Sequence, residues 1–181
     1  MRAAATALAA FGLLAASHAF AADGWLRAGS PLKKQPNTAT SGDFAVMQFA
    51  TNEPERLMAD WAKPGAGASL SMTTETPRNR PIVTFILFRG CRGDADGNCN
   101  VTVDYETIAP SGKRYDQTKG AEVWVGRRPP PGNALQLSAS AYGMVFEDKD
   151  ALGGYLVRAT VTDHVSGVTV HTEQKLTVVG N

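Results

Sequence analysis

The chain has no excess of charge of either sign: 18 lysine and arginine residues stand against 17 aspartate and glutamate residues, a formal net charge of +1. Proteins that bind nucleic acid or an anionic membrane surface by electrostatics carry a basic surplus, which this sequence lacks. Residues that commonly catalyse are also few, with three histidines, two cysteines and none of the motifs G-x-S-x-G, H-E-x-x-H or C-x-x-C. We therefore expect no nucleic-acid partner and no enzyme.

Long hydrophobic runs are equally scarce, with one exception at the start of the chain. Arg2, the apolar run Ala3–Ala16 and the small-residue stretch Ala19–Ala21 follow the three-part pattern of a secretion signal. This pattern predicts a signal peptide over residues 1–21. The run is too short to span a bilayer and no second run follows it. We expect the mature chain, which starts at Ala22, to be periplasmic or secreted, with no membrane insertion.

Cysteine is limited to Cys91 and Cys99, which are eight residues apart. In an exported protein such a close pair usually forms a disulfide, because the compartment is oxidising. The two residues follow and precede apolar segments, so a bond between them closes a hairpin loop with easy geometry. We expect the bond to occupy both thiols, which leaves neither as a nucleophile.

Helix-forming stretches are rare, whereas strand and turn residues are frequent. From residue 69 onward, strand patterns recur about every 8–12 residues, which is typical of a sandwich or barrel. Pro81–Phe88 is almost wholly apolar and predicts a central strand covered on both faces. Asn100–Ile108 alternates apolar with polar residues, as a half-buried strand does. The predicted fold class is an all-β, Greek-key β-sandwich.

One short helix near residues 53–63 interrupts the strands. Asn52 has the position of an N-cap, and Leu57, Met58 and Trp61 share a face that we expect to pack on the sheet.

The segment before the first strand pattern has no hydrophobic period. Residues 22–43 are rich in Pro, Ser, Thr and Gly, which predicts a flexible N-terminal arm, with a donated edge strand as the alternative. Residues 44–181 then form the single domain.

The stretch Asp150–Ala159 resembles the tyrosine corner of immunoglobulin domains, with Tyr155 at the corner and Val157 at the core position that antibody domains fill with cysteine. The chain is also similar to bacterial exported immunoglobulin-like β-sandwich proteins that have a G-C-x7-C loop and a late D-x-x-S-G hairpin, which here are Gly90–Cys99 and Asp163–Gly167. The resemblance implies an immunoglobulin-like fold and export. It implies no activity, because a fold alone does not determine function.

The loop between the cysteines holds the densest set of chemically active side chains. Asp94, Asp96 and Asn98 alternate as in D-x-D-x-N calcium loops, although the acidic twelfth ligand of an EF-hand is missing. Arg92 begins an Arg-Gly-Asp tripeptide of the kind found in cell-adhesion ligands, and it is the candidate binding residue. The alternative is a stapled hairpin whose polar residues serve turn geometry.

Three function classes follow from these patterns. The first is a non-catalytic exported immunoglobulin-like module that binds a protein or envelope partner through its loops or an open edge strand. The second is a calcium-dependent binding or stabilising module that uses the Cys91–Cys99 loop. The third is a hydrolase whose carboxylates are brought together by the fold. Calcium is the one cofactor that the sequence makes a candidate.

Overall fold

The computed structural model describes residues 26–27, 30–31, 35–63, 70–131 and 134–180. The predicted signal peptide and part of the predicted arm lie outside these residues. The described elements are β1 Leu26–Arg27, β2 Ser30–Pro31, β3 Thr38–Ser41, β4 Phe44–Thr51, α1 Pro54–Trp61, β5 Glu75–Pro77, β6 Pro81–Arg89, β7 Cys99–Ile108, β8 Arg114–Arg127, β9 Gln136–Leu137, β10 Tyr142–Val145, β11 Gly153–Asp163 and β12 Val168–Val179.

Two five-stranded sheets make up the sandwich. One has the order β10-β6-β4-β3, with β9 also paired to β6, and the other has the order β5-β12-β11-β7-β8. The chain changes sheets after α1, because β4 pairs with β6 whereas β5 pairs in parallel with β12. An immunoglobulin-like sandwich has this arrangement, with the A, B and E strands in one sheet and the C, F and G strands in the other. The predicted all-β sandwich is confirmed.

Alternate residues of the long strands form the core between the sheets. Ile86 and Phe88 of β6 are buried against Val101 and Val103 of β7, and none of the four is more than 1% exposed. Strand β6 has partners along both edges, β4 and β10. The apolar run Pro81–Phe88 therefore forms a central strand, as predicted.

A second, smaller apolar cluster lies on the other face of β6, under helix α1. Leu57 of the helix packs with Phe49 and Phe85, whose ring centroids are 5.8 Å apart. Trp61 is partly buried against the same cluster, but Met58 is 49% exposed. The predicted packing face was therefore wrong at Met58, which lies about 100° around the helix from Leu57 and so points away from the sheet.

The predicted N-cap was also wrong. The N-cap position is Glu53, without a side-chain cap hydrogen bond, and the helix begins at Pro54. The Asn52 amide instead donates to the carbonyl oxygen of Glu75, 3.3 Å away. Pro54 in the first turn lowers the need for a cap, because proline brings no N–H that must be satisfied.

The predicted arm differs from the structure in its last residues. Thr38–Ser41 form strand β3, which pairs antiparallel with Phe44–Met47 of β4 at the edge of the first sheet. The four residues TATS carry no hydrophobic period of their own. These residues form a strand because the edge of β4, a mostly buried strand, offers them backbone hydrogen bonds. Their side-chain pattern alone does not indicate a strand.

The tyrosine corner is present as predicted. The Tyr155 hydroxyl donates to the carbonyl oxygen of Ala151 at 2.9 Å, and Val157 is fully buried. A buried glutamine, Gln48 of β4, also ties the two sheets together. Its amide donates to the carbonyl oxygen of Val157 at 3.2 Å and accepts a hydrogen bond from the Thr172 hydroxyl at 2.8 Å.

Candidate functional site

The loop between β6 and β7 is closed by the predicted disulfide. The Cα atoms of Cys91 and Cys99 are 6.0 Å apart and both residues are buried, so the pairing is confirmed. At the start of the loop Gly90 has φ +75°, and a Cβ atom there would lie 2.0 Å from the carbonyl oxygen of Asp43. The loop is therefore held against the turn between β3 and β4, at a distance that only glycine permits.

Asp94 organises the tip of the loop. Its Oδ1 atom accepts hydrogen bonds from the backbone N–H groups of Asp96 at 3.0 Å and Asn98 at 2.9 Å. The Asp94 N–H in turn donates to the carbonyl oxygen of Asn98 at 2.9 Å. This is the side-chain turn chemistry of aspartate. Oδ1 is thereby occupied by the loop itself, and of the two Asp94 oxygens Oδ2 is left to bind a cation.

The turn between β11 and β12 meets this loop through one buried carboxylate. Asp163 is fully buried, and its Oδ2 atom accepts the backbone N–H of Arg92 at 2.9 Å and the Ser166 hydroxyl at 2.8 Å. Its Oδ1 atom accepts the backbone N–H of Val165 at 3.1 Å. Burying a carboxylate is costly unless hydrogen bonds compensate. Asp163 therefore fixes the hairpin turn and the disulfide loop relative to each other.

His164, the next residue, adds two further contacts between the turn and β7. Its backbone N–H donates to the carbonyl oxygen of Asn100 at 2.9 Å, and its Nε2 atom lies 2.8 Å from the Thr102 hydroxyl. The other described histidine, His171, contacts Thr160 on the exposed face of β11, with 3.1 Å between its Nδ1 atom and the hydroxyl. Both histidines are exposed and each has a threonine neighbour.

We call the surface formed by residues 91–99 and 163–167 the loop platform. The side chains of Arg92, Asp96 and His164 are exposed on it. In the described part of the chain, the Arg92 guanidinium and the Asp96 carboxylate have no hydrogen-bond or ion-pair partner. The platform thus combines a backbone held by buried bonds with side chains that are available to a ligand.

A basic connection begins beside the platform. Arg127 pairs with Cys99 at the end of β8, and its guanidinium lies 4.8 Å from the centroid of the Trp124 ring. The Trp124 indole N–H donates to the carbonyl oxygen of Arg128 at 2.9 Å. The start of the Arg127–Pro131 segment is therefore anchored to the sandwich.

Among the carboxylates that the fold brings together, Glu106 and Glu173 flank Arg158 on the open face of the second sheet. Arg158 lies 3.7 Å from Glu106 and 2.9 Å from Glu173, with all three side chains at least one-third exposed. A cation shared between two exposed carboxylates forms a cross-strand ion-pair row. Within the described residues, no group of three or more His, Cys, Asp or Glu side chains is placed to hold a metal ion.

Sequence reasoning located the loop but missed the residue that positions it. The predicted site residues lie together on the platform because they belong to one short loop; they are Arg92, Asp94, Asp96 and Asn98. In the sequence, Asp163 is recognisable only as part of a D-x-x-S-G turn. The available signal was that turn itself, since an aspartate three residues before a serine at a hairpin end is a candidate for bonding its own turn.

A comparison with protein-family models finds no match for this chain, and a comparison with curated proteins finds no similar sequence. The described part of the chain contains no helix that is long and apolar enough to cross a membrane.

Proposed function

We propose that this protein is a non-catalytic, exported immunoglobulin-like module that binds a protein or envelope component through the loop platform. The observation that carries the proposal is the hydrogen bond from the Arg92 N–H to the buried Asp163 carboxylate. It joins two loops that are 71 residues apart in the chain into one surface.

A surface of this kind favours binding because its backbone is ordered before the partner arrives. Ordering loops at an interface lowers affinity, and a preorganised backbone avoids much of that cost. The disulfide and the Asp94 turn order the first loop, while Asp163 orders the second. The exposed Arg92 and Asp96 side chains then offer one charge of each sign, which suits a polar protein surface better than an apolar ligand.

The position of the platform in the fold gives further support by analogy. It joins β6 to β7 and β11 to β12, which correspond to the B–C and F–G connections of immunoglobulin domains. In antibody variable domains those two connections belong to the binding end of the sandwich. The periplasm or the extracellular space is the proposed location, since a disulfide is stable in such compartments.

The test is a binding experiment with two matched double variants of the mature chain. Arg92→Ala with Asp96→Ala removes one positive and one negative side chain from the platform, and Lys119→Ala with Glu55→Ala removes the same charges from exposed sites elsewhere. A partner is first captured on wild-type protein from the cell envelope and culture fluid of the source organism. Dissociation constants are then measured by calorimetry, with calcium and with EDTA.

We expect the platform variant to weaken binding by about 10-fold or more, which corresponds to about 1.4 kcal/mol, and the control variant to bind as wild type does. Equal binding by both variants would place the interface elsewhere and contradict the proposal. Affinity that vanishes in EDTA and returns with calcium would instead favour the calcium-dependent module with Asp94, Asp96 and Asn98 as ligands.

A further inference from the structure

A groove runs along the seam where the edge of the first sheet meets β12 of the second. Its volume is about 360 Å³, and it is lined by Gln35, Pro36, Thr38–Ser41 and Thr169–His171. We call it the seam groove. It lies outside the loop platform, although β12 begins just after the platform turn.

The β12 rim of the groove has backbone groups that no described residue pairs with. Glu173 donates its N–H away from β11 to Pro36, and Thr177 does the same to Thr74, at 2.8 Å and 2.7 Å. Backbone groups alternate in direction along an antiparallel strand, so Thr169 and His171 point the same way as Glu173. Strand β5 covers this edge only at Thr177–Val179. Among the described residues, nothing pairs with the outward N–H and C=O groups of Thr169 and His171.

The opposite rim, β3, is also an edge strand, with no second strand partner among the described residues. Asn37 accepts a hydrogen bond from the N–H of Gln48 at 2.8 Å, so the odd-numbered residues of this segment direct their backbone toward β4. Thr40 therefore directs its N–H and C=O away from β4. Between these two rims lie Ala39 and Val170, which pack against the core.

The residues that line the seam groove indicate what kind of polypeptide segment it can bind. The described residues that line the groove include no carboxylate, lysine or arginine, and their polar groups are hydroxyls, an amide, an imidazole and backbone. The long edge at β8 differs, because it carries Arg114, Asp116 and Lys119 and a register shift at its middle. Charges and bulges protect an edge strand from pairing with other chains. At Thr169–His171, no described residue gives the β12 edge such protection.

We propose that the seam groove binds an extended, uncharged segment of a partner polypeptide, which adds as a strand to the β12 edge at Thr169–His171. The partner's backbone pairs with Thr169 and His171, and every second side chain rests on Ala39 and Val170. Strand addition of this type takes its affinity from main-chain hydrogen bonds and its specificity from alternate side chains. The proposal does not depend on partner binding at the loop platform.

The test uses the mature chain, NMR detection of backbone amides and one defined probe, the acetylated and amidated peptide Lys-Thr-Val-Thr-Val-Thr-Lys. Its central five residues are the uncharged segment, and the terminal lysines serve only to keep the peptide soluble. Two further versions of the peptide are N-methylated, one at its odd-numbered residues and the other at its even-numbered residues. Each version therefore lacks the backbone N–H donors along one of its two strand edges. His171→Pro removes the outward N–H, which a free edge tolerates, and His171→Ala is the matched control that keeps it.

In free protein we expect the amides of Thr169 and His171 to exchange rapidly, and the peptide to slow them by about 10-fold or more at saturation. At least one N-methylated peptide and the His171→Pro protein should lose this effect, whereas His171→Ala keeps it. The peptides report on pairing even if the proline variant does not fold.

Three results would overturn the proposal. The first is slow exchange of both amides in the free, dilute protein, which would mean that this chain's own residues before Gln35 fill the groove. The second is slow exchange that appears only as protein concentration rises, which would mean that a second copy fills it. The third is a peptide effect that is absent, or that both N-methylated peptides preserve.

Discussion

The two ends of the sandwich are held together in opposite ways. At the loop platform, buried groups fix the backbone: the disulfide, the Asp163 carboxylate and the Asp94 turn. Arg92 and Asp96 take no part in this through their side chains, which are exposed. The far end, which we call the corner end, comprises residues 78–80, 110–115 and 146–155.

At the corner end the charged and polar side chains themselves hold the loops. The Tyr115 hydroxyl donates to Asp150 at 2.8 Å, and the Asn79 amide donates to Asp148 at 2.8 Å. Arg78 donates to the carbonyl oxygen of Asp150. Burial, and next the hydrogen bond to Asp150, raise the pKa of Tyr115 above its usual range. These five side chains of Arg78, Asn79, Tyr115, Asp148 and Asp150 are therefore occupied by the protein's own structure.

This difference bears on the proposal that the loop platform binds a partner. A side chain that is already bonded must give up that bond when it binds a partner, whereas a free side chain over an ordered backbone loses little. At the platform, Arg92 and Asp96 have the second property, whereas Tyr115 and Asn79 at the corner end have the first. The comparison can be tested by removing each fixing group in turn.

The largest effect is expected at Asp163. Asp163→Ala leaves the Arg92 and Val165 N–H groups and the Ser166 hydroxyl without their buried acceptor. We expect a loss of about 3–5 kcal/mol in the free energy of unfolding, measured by urea denaturation.

Asp150→Ala is the matched variant at the corner end. Asp150 is partly exposed and accepts from Tyr115 and from the backbone of Glu147, so water can replace it. We expect a loss of about 1–2 kcal/mol. A loss at Asp150 that equals or exceeds the loss at Asp163 would show that the two ends are not fixed by different means.

The disulfide is expected to have the next largest effect. Cys91→Ser with Cys99→Ser opens a short loop, and chain entropy predicts a loss of about 2–3 kcal/mol with the fold retained. Far-UV circular dichroism and urea denaturation of the double variant measure both properties. A variant that cannot fold would mean that the sandwich core stabilises the protein less than its buried residues suggest. Reaction of denatured, unreduced wild-type protein with a thiol reagent would show that the bond is absent.

At the corner end, Tyr155→Phe removes one hydrogen bond and no packing. The hydroxyl donates to the carbonyl oxygen of Ala151, an exposed residue that water can satisfy instead. The ring stays between Phe146 and Tyr115, whose centroids are 4.5 Å and 5.3 Å away. We expect a loss of about 1 kcal/mol by thermal or urea unfolding. A loss above about 3 kcal/mol would imply that the corner also fixes the loops beyond Ala151.

Much of this fold could be predicted from local patterns, because the physical cause is itself local. The apolar run Pro81–Phe88 can bury its side chains on both faces only in a central strand. The alternation in Asn100–Ile108 requires that one face of that strand is buried. Tyr155 and Ala151 are four residues apart, so the corner is visible in a short stretch. The disulfide follows from Cys91 and Cys99 for the same reason.

The features that were missed depend on distant residues. Asp163 owes its role to Arg92, which is 71 residues away, and β3 exists because β4 offers an edge to Thr38–Ser41. The exposure of Met58 depends on how helix α1 lies on the sheet. No local pattern contains that information, so the loop could be found from the sequence but the platform could not.

The smallest effect is expected at Tyr105, which lies between the two ends. Tyr105→Phe serves as the control for Tyr155→Phe, because it also removes only a hydroxyl group. Its hydroxyl is buried without a hydrogen-bond partner among the described residues, and its ring stacks on Tyr142 with centroids 4.8 Å apart. Tyr105→Phe keeps the ring and removes an unsatisfied group, so we expect a change within about 0.5 kcal/mol at neutral pH, in contrast to Tyr155→Phe.

The same substitution should matter more in alkaline solution. Burial, and next the charge of Tyr142, raise the pKa of Tyr105 above its usual value near 10. The folded state therefore favours the neutral phenol, and the resulting stability is complete below about pH 10 and declines as the pH rises above it, because the unfolded chain ionises first. We expect Tyr105→Phe to shift the midpoint of alkaline unfolding to higher pH, followed by circular dichroism at increasing pH. Identical midpoints for wild type and variant would mean that other groups govern alkaline unfolding, such as Tyr142, whose pKa is also raised by burial and next by Asp116.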